Sequence, residues 1–129
     1  MYPKDLKYTR THEWAKIEGD IATIGITDFA VKQLTDLVYV EFPSVGEKVT
    51  KDSPFGSIES VKAVSDLTSP ITGEVIQVNE ELPRKIELIT KDPYGEGWMI
   101  KVKIKDLTEL NTLMDSEKYE ELIKKEEED

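Results

Sequence analysis

Between Ser44 and Asn79 the chain is cut into short β-compatible pieces at Gly46, Ser53-Pro54, Ser69-Pro70 and Gly73. No other feature narrows the fold as much, because short strands punctuated by frequent turns build sandwiches and barrels, not helical bundles or wound parallel sheets. Within this stretch Gly46-Glu47-Lys48-Val49-Thr50-Lys51-Asp52 is echoed by Gly73-Glu74-Val75-Ile76-Gln77-Val78-Asn79, with glycine, glutamate, an aliphatic residue and Asp/Asn in register at a spacing of 27. The echo predicts two similar β units related by a local dyad and joined by a hairpin over residues 55–66.

The flanking segments extend the β reading. Residues 12–17 and 21–26 are β-compatible runs separated by Gly19-Asp20, a pair suited to the positive φ of a tight hairpin turn. Thr27-Asp28 offers N-cap oxygens to a short helix carrying Ala30, Val31 and Leu34 at helical spacing. Residues 37–42 read as a core strand that Pro43 closes, since proline brings no N–H to a ladder. Residues 98–105 alternate, with Trp98, Ile100, Val102 and Ile104 on one face and Met99, Lys101, Lys103 and Lys105 on the other, the pattern of a half-buried antiparallel strand. Asp106 and Glu109 fit a capping box ahead of a core stripe of Leu107, Leu110, Leu113 and Met114. Ser116 is expected to cap a last helix that buries Tyr119, Leu122 and Ile123, with a solvated, fraying end over residues 124–129. The expectation is one mainly β domain over residues 1–129, with a short internal helix and a helical extension from about residue 106.

Composition removes several functions. With 17 basic and 27 acidic side chains the net charge is −10, which disfavours tracking nucleic-acid phosphates or an anionic membrane. Residues 115–129 hold eight acids against three lysines and so half of that charge. The chain has no cysteine and one histidine, His12, so it holds no Cys/His cluster for zinc, haem or iron–sulfur, and any redox sulfur must be brought in. No apolar run approaches the ~20 residues of a membrane span, and the start lacks a signal-peptide pattern, which reads as cytoplasmic or already processed. Phosphate-cradling glycine loops are missing, and no serine stands in a nucleophile-elbow context for His12 to serve. His12 reads instead as a strand histidine beside Trp14 with a satisfied hydrogen bond. The acids are so numerous that accidental carboxylate pairs carry no signal.

The informative segment is Gly56-Ser57-Ile58-Glu59-Ser60-Val61-Lys62-Ala63-Val64-Ser65-Asp66, followed by Ser69-Pro70-Ile71-Thr72-Gly73. It reads as strand, turn, strand with Lys62 at the tip. One of fifteen lysines in a turn is ordinarily a solvated charge. Here the immediate neighbours Val61 and Ala63 leave the amine unobstructed, and a tip lysine is well placed to be acylated by another enzyme and then to swing.

In these residues the chain resembles the H-proteins of the glycine cleavage system. Beside Glu59-Ser-Val-Lys-Ala63 and Ser69-Pro-Ile-Thr-Gly-Glu-Val75 stand Tyr8-Thr-Arg-Thr-His-Glu-Trp14, Ala22-Thr-Ile-Gly-Ile-Thr-Asp28, Val38-Tyr-Val-Glu-Phe-Pro43 and Asp92-Pro-Tyr-Gly-Glu-Gly-Trp98, in family order. Related biotin carriers typically show Met-Lys-Met at the tip, where this chain has Val-Lys-Ala. The resemblance implies a flattened barrel-sandwich hybrid of the lipoyl/biotinyl-carrier type, with lipoate amide-linked to Lys62, no metal, and no catalysis by the chain itself. It implies that the arm accepts an aminomethyl group as a pyridoxal-phosphate glycine decarboxylase releases carbon dioxide. A folate-dependent aminomethyltransferase then removes that group with release of ammonia, and a flavin-containing dihydrolipoyl dehydrogenase reoxidises the dithiol. A lipoate ligase or lipoyltransferase is the implied modifying partner, and a monomer the default state. The family parks the loaded arm in a surface cleft, whose positions carry over to Thr11, Glu13 and Asp66. Two departures stand out: Thr35 replaces the usual glycine before Asp36, and Ile86-Glu-Leu-Ile-Thr90 replaces the usual Pro-Glu-Leu-(Val/Ile)-Asn. An alternative keeps the carrier but relays lipoate to another pathway. A further one leaves Lys62 unmodified in an enzyme or interaction module.

Overall fold

A computed structural model describes residues 2–128. Strands β1 (Lys7–Tyr8), β2 (Glu13–Glu18) and β3 (Ile21–Ile26) lead to helix α1 (Asp28–Leu34), and β4 (Leu37–Glu41), β5 (Lys48–Val49), β6 (Pro54–Ser60), β7 (Val64–Thr68) and β8 (Gly73–Val78) follow. Helix α2 (Glu87–Lys91), β9 (Ile100–Ile104), a 3₁₀ helix (Leu107–Thr112) and α3 (Ser116–Glu128) complete the order. Every paired strand is antiparallel, in a six-stranded sheet of order β1-β2-β3-β9-β8-β5 and a three-stranded sheet β4-β6-β7. The expected flattened barrel takes the form of two separate sheets without closure.

One core lies between the sheets. Ala22, Ile24, Val75, Ile100 and Val102 of the larger sheet pack with Val40, Ile58 and Leu67 of the smaller, joined by Val31 of α1 and Ile89 of α2. Each fully buried aliphatic side chain of this kind contributes roughly 1.5–3 kcal/mol. A second cluster of Leu6, Tyr8, Trp14, Tyr119 and Ile123 seats α3 against β1 and β2.

The first hairpin forms as expected: β2 and β3 pair from Glu13↔Ile26 to Glu18↔Ile21, and Gly19 turns at φ +64°. Thr27 caps α1, its hydroxyl oxygen accepting from the Ala30 amide. The segments that echo each other lie side by side, Lys48 opposite Glu74 and Val49 opposite Gly73, in the antiparallel pairing a local dyad requires.

Several expectations are corrected. Strand β4 is an edge strand, hydrogen-bonded on one side only, with Val38 and Tyr39 half exposed; β propensity reports a pleated surface, not depth. The alternation of residues 98–105 holds only from Ile100 onward, because Met99 is fully buried while Trp98 is half-buried. Asp106 caps the 3₁₀ helix by accepting from the Thr108 amide, but Glu109 does not complete a capping box. Its carboxylate instead accepts from the amide and hydroxyl of Thr72 at 2.7 and 2.9 Å, and Leu107 is exposed, outside the expected core stripe. The cap of α3 is Asp115, whose carboxylate accepts from the Lys118 amide, and Ser116 is buried in the first turn. Helix α3 continues to Glu128 and Glu126 reaches His12, so the tail is not wholly solvated. Residue 129 lies outside the described residues. Helix α2, with only five residues, leaves too little periodicity to be read in advance.

Candidate functional site

Strands β6 and β7 form the hairpin that carries Lys62 at its tip. Ser60 shapes the turn: its amide donates to the Ala63 carbonyl at 2.8 Å, while its hydroxyl oxygen accepts from the Ala63 and Lys62 amides. The Val61 amide donates to the Asp36 carbonyl at 2.9 Å and ties the tip to the loop before β4. Lys62 itself is exposed, and among the described residues no carboxylate lies within 4.0 Å of its amine. A hydrogen-bonded turn therefore presents an exposed, unpaired amine, as covalent attachment of an arm requires.

Beside this hairpin is a cleft of about 130 Å³. Thr11, His12 and Glu13 form one wall, Ala30, Gln33 and Leu34 of α1 another, and Ser65, Asp66 and Leu67 of β7 line it as well. Asp66 lies four residues past Lys62 in sequence, at most about 13 Å at the 3.3 Å rise of an extended chain. Thr11, Glu13 and Asp66 thus share one cavity although 53 residues separate Glu13 from Asp66.

The Thr11 wall is built by a tight loop. The Thr9 hydroxyl oxygen accepts from the Glu13 amide, the Thr9 amide donates to the Glu13 carbonyl, and His12 turns through φ +73°. This loop folds Glu13 inward until it is only 2% exposed. The hydroxyls of Thr9 and Thr11 donate to Oε1, and the Thr68 amide donates to Oε2 at 3.1 Å. Burial pushes the Glu13 carboxyl above its ordinary value, and these three donors hold part of that rise back. Asp66 is exposed, with no ion-pair partner among the described residues. One carboxylate is desolvated and positioned, the other wet and free, so the cleft offers negative charge to a cation.

His12 departs from its expected role. It sits in a turn, not a strand, and lines the cleft. Its hydrogen bond is satisfied as expected: Nδ1 lies 2.8 Å from the Tyr119 hydroxyl, and Nε2 lies 3.2 Å from a Glu126 carboxylate oxygen. Burial lowers its pKa, and Glu126 opposes that shift only partly. Thr9 and Thr68, which support Glu13, gave no sign in the sequence, because their bonds depend on tertiary register.

The segments of the resemblance also meet in space. The Trp14 indole N–H donates to the Pro93 carbonyl at 3.0 Å, the Tyr94 hydroxyl accepts from the Asp28 amide at 3.0 Å, and the Trp14 ring packs on Gly25. A two-sheet fold with a tip lysine and an adjoining acidic cleft defines a swinging-arm carrier. The family model described as glycine cleavage H-protein matches residues 6–126. Glycine cleavage system H proteins of Carboxydothermus hydrogenoformans and Rubrobacter xylanophilus are 52% and 54% identical, covering 98% and 97% of this chain and 97% of each relative. A crystal structure of a glycine cleavage system H protein from Mycobacterium marinum superposes with a TM-score of 0.81 at 37% identity, covering 92% of this chain and 95% of that one. The chain belongs to the glycine cleavage H-protein family. Its role is that of a non-catalytic lipoyl carrier in the glycine cleavage system. Among the described residues no helix is long and apolar enough to cross a membrane.

Proposed function

We propose that Lys62 is the attachment point, acylated on Nζ by lipoate, and that the cleft of Thr11, Glu13 and Asp66 shelters the loaded arm. The exposed, unpaired Lys62 amine on a fixed turn carries this reading. The bound group would supply the reversible dithiol chemistry that a chain without cysteine lacks. Glu13, a buried carboxyl raised by desolvation, serves as a counter-charge for a protonated amine. The hydroxyls of Thr9 and Thr11 keep that carboxylate aimed. Asp66 supplies a second acceptor at the β7 edge, and Leu34 and Leu67 keep water from the cleft.

The partners are a pyridoxal-phosphate glycine decarboxylase, a folate-dependent aminomethyltransferase, a dihydrolipoyl dehydrogenase, and the ligase or lipoyltransferase that modifies Lys62. Tethering raises the effective concentration of the arm at each docked partner, so individual affinities can stay weak. The cleft is tested with Asp66→Ala. Lipoylation is expected to remain intact, while spontaneous ammonia release from loaded protein rises roughly tenfold, the scale of one lost charged hydrogen bond. Unchanged release contradicts the assignment.

A further inference from the structure

Helix α3 contributes no residue to the cleft lining, yet one of its side chains is bonded to His12 of that lining and to Thr27, the cap of the helix that lines another side. The buried Tyr119 hydroxyl lies 2.8 Å from His12 Nδ1 and 2.6 Å from Thr27 Oγ1. His12 stands between Thr11 and Glu13 on one wall, and Thr27 caps α1, which carries Ala30, Gln33 and Leu34 on the other. The His12 carbonyl also accepts from the Thr27 amide at 3.0 Å, so the two walls are joined where Tyr119 reaches.

The directions of these hydrogen bonds follow from what each group can do. An ionised Glu126 carboxylate only accepts, so the facing Nε2 carries the imidazole proton. Nδ1 then accepts from the Tyr119 hydroxyl, and the Tyr119 oxygen accepts from the Thr27 hydroxyl. The Thr27 oxygen keeps a lone pair for the Ala30 amide. Every member is satisfied with a neutral imidazole. The phenol has little freedom to swing away, because its ring stacks on Tyr8 at 4.6 Å with 9° between planes and meets the edge of Tyr2 at 4.9 Å.

We propose that Tyr119 is a positioning residue for the cleft, its hydroxyl fixing the spacing of the Thr11–Glu13 wall and the α1 wall through His12 and Thr27. The inference rests on the reading of the cleft as the shelter of the loaded arm. The retention of a group at the lipoyl end thereby depends on a C-terminal helix that never touches it.

Tyr119→Phe removes the hydroxyl and keeps the ring, and Ile123→Val is the control that loosens α3 without touching the network. In unloaded protein, ¹⁵N spectra of His12 are expected to show the Nε2–H tautomer in wild type and in Ile123→Val. In Tyr119→Phe the Nε2–H tautomer is expected to persist, held by Glu126, while the Nδ1 resonance shifts for loss of its donor, with amide shift changes at Thr11, Glu13 and Thr27. In loaded protein, Tyr119→Phe is expected to release ammonia roughly fivefold faster, the effect of one neutral hydrogen bond, with lipoylation unchanged and Ile123→Val matching wild type. An unperturbed His12 in Tyr119→Phe overturns the network. Release unchanged in Tyr119→Phe but accelerated in Asp66→Ala overturns the positioning role while the cleft reading stands. If Asp66→Ala is equally silent, the cleft reading has failed and the inference falls with it.

Discussion

Gly25 stands directly across the β2–β3 ladder from Trp14, and the indole fills the space where a Cβ of residue 25 would be. A methyl group there would lie 2.6–2.8 Å from three atoms of the ring. Trp14 is 1% exposed and hydrogen-bonded to Pro93, so it has nowhere to retreat. Gly25→Ala is therefore expected to destabilise the fold by about 2–3 kcal/mol through overpacking, measured as a lower urea midpoint with an unchanged slope. A midpoint equal to wild type would show that the indole yields.

Thr35 ends α1 at φ +64°, ψ −131°, a combination that glycine adopts freely and a β-branched residue does not. Its backbone N–H, donated to the Val31 carbonyl, is retained by glycine, and only the exposed hydroxyl bond to the Leu34 carbonyl at 2.5 Å is lost. Relief of the strain, less the larger unfolded-state entropy of glycine, leaves a gain of about 1 kcal/mol for Thr35→Gly. At this chain length that corresponds to a rise of roughly 4 °C in Tm by calorimetry. Resemblance already marked this position, where the family usually has glycine.

His12 makes stability depend on pH. Its pKa is below the ordinary 6.5 because burial penalises the charged ring, with the Glu126 carboxylate opposing and the Tyr119 hydroxyl and Phe29 ring as the other neighbours. Between the two pKa values the unfolded chain binds the proton that the folded chain lacks, so stability is fully present above the unfolded value and is lost as pH falls through the folded one. Lowering pH from about 7 should reduce the urea midpoint of wild type more than that of His12→Asn, which tolerates the positive φ and does not titrate. Parallel pH profiles would remove His12 from the account.

Glu109 ties the 3₁₀ helix to the loop before β8, accepting two hydrogen bonds from Thr72. Glu109→Ala leaves the part-buried Thr72 amide and hydroxyl without that partner and is expected to cost about 1–2 kcal/mol in urea unfolding. Thr108→Ala, which removes only a bond to the Asp106 cap, should cost less.

What could be read in advance followed local chemistry. The Gly19-Asp20 hairpin, the Thr27 cap and the buried face of Ile100, Val102 and Ile104 each depend on neighbours in the chain and form as read. The misread elements depend on partners far away. Glu109 has the spacing of a capping residue but finds Thr72, 37 positions off, and residues 37–42 have core composition but lie at a sheet edge. His12 looked like a strand residue because nothing local announces a positive φ that tertiary bonds to Tyr119 and Thr27 maintain. The cleft was legible only through resemblance: Thr11, Glu13 and Asp66 carry no periodicity or spacing that would bring them together.

The account turns on Lys62 as the attachment point among fifteen lysines. The most direct measurement is intact and peptide-resolved mass spectrometry after incubation with a lipoate ligase, lipoate and ATP, comparing wild type with Lys62→Arg. A single lipoyl adduct on the Lys62 peptide, lost in the variant, is the predicted result. No adduct while a control carrier is lipoylated, or an adduct that persists in Lys62→Arg, would contradict it.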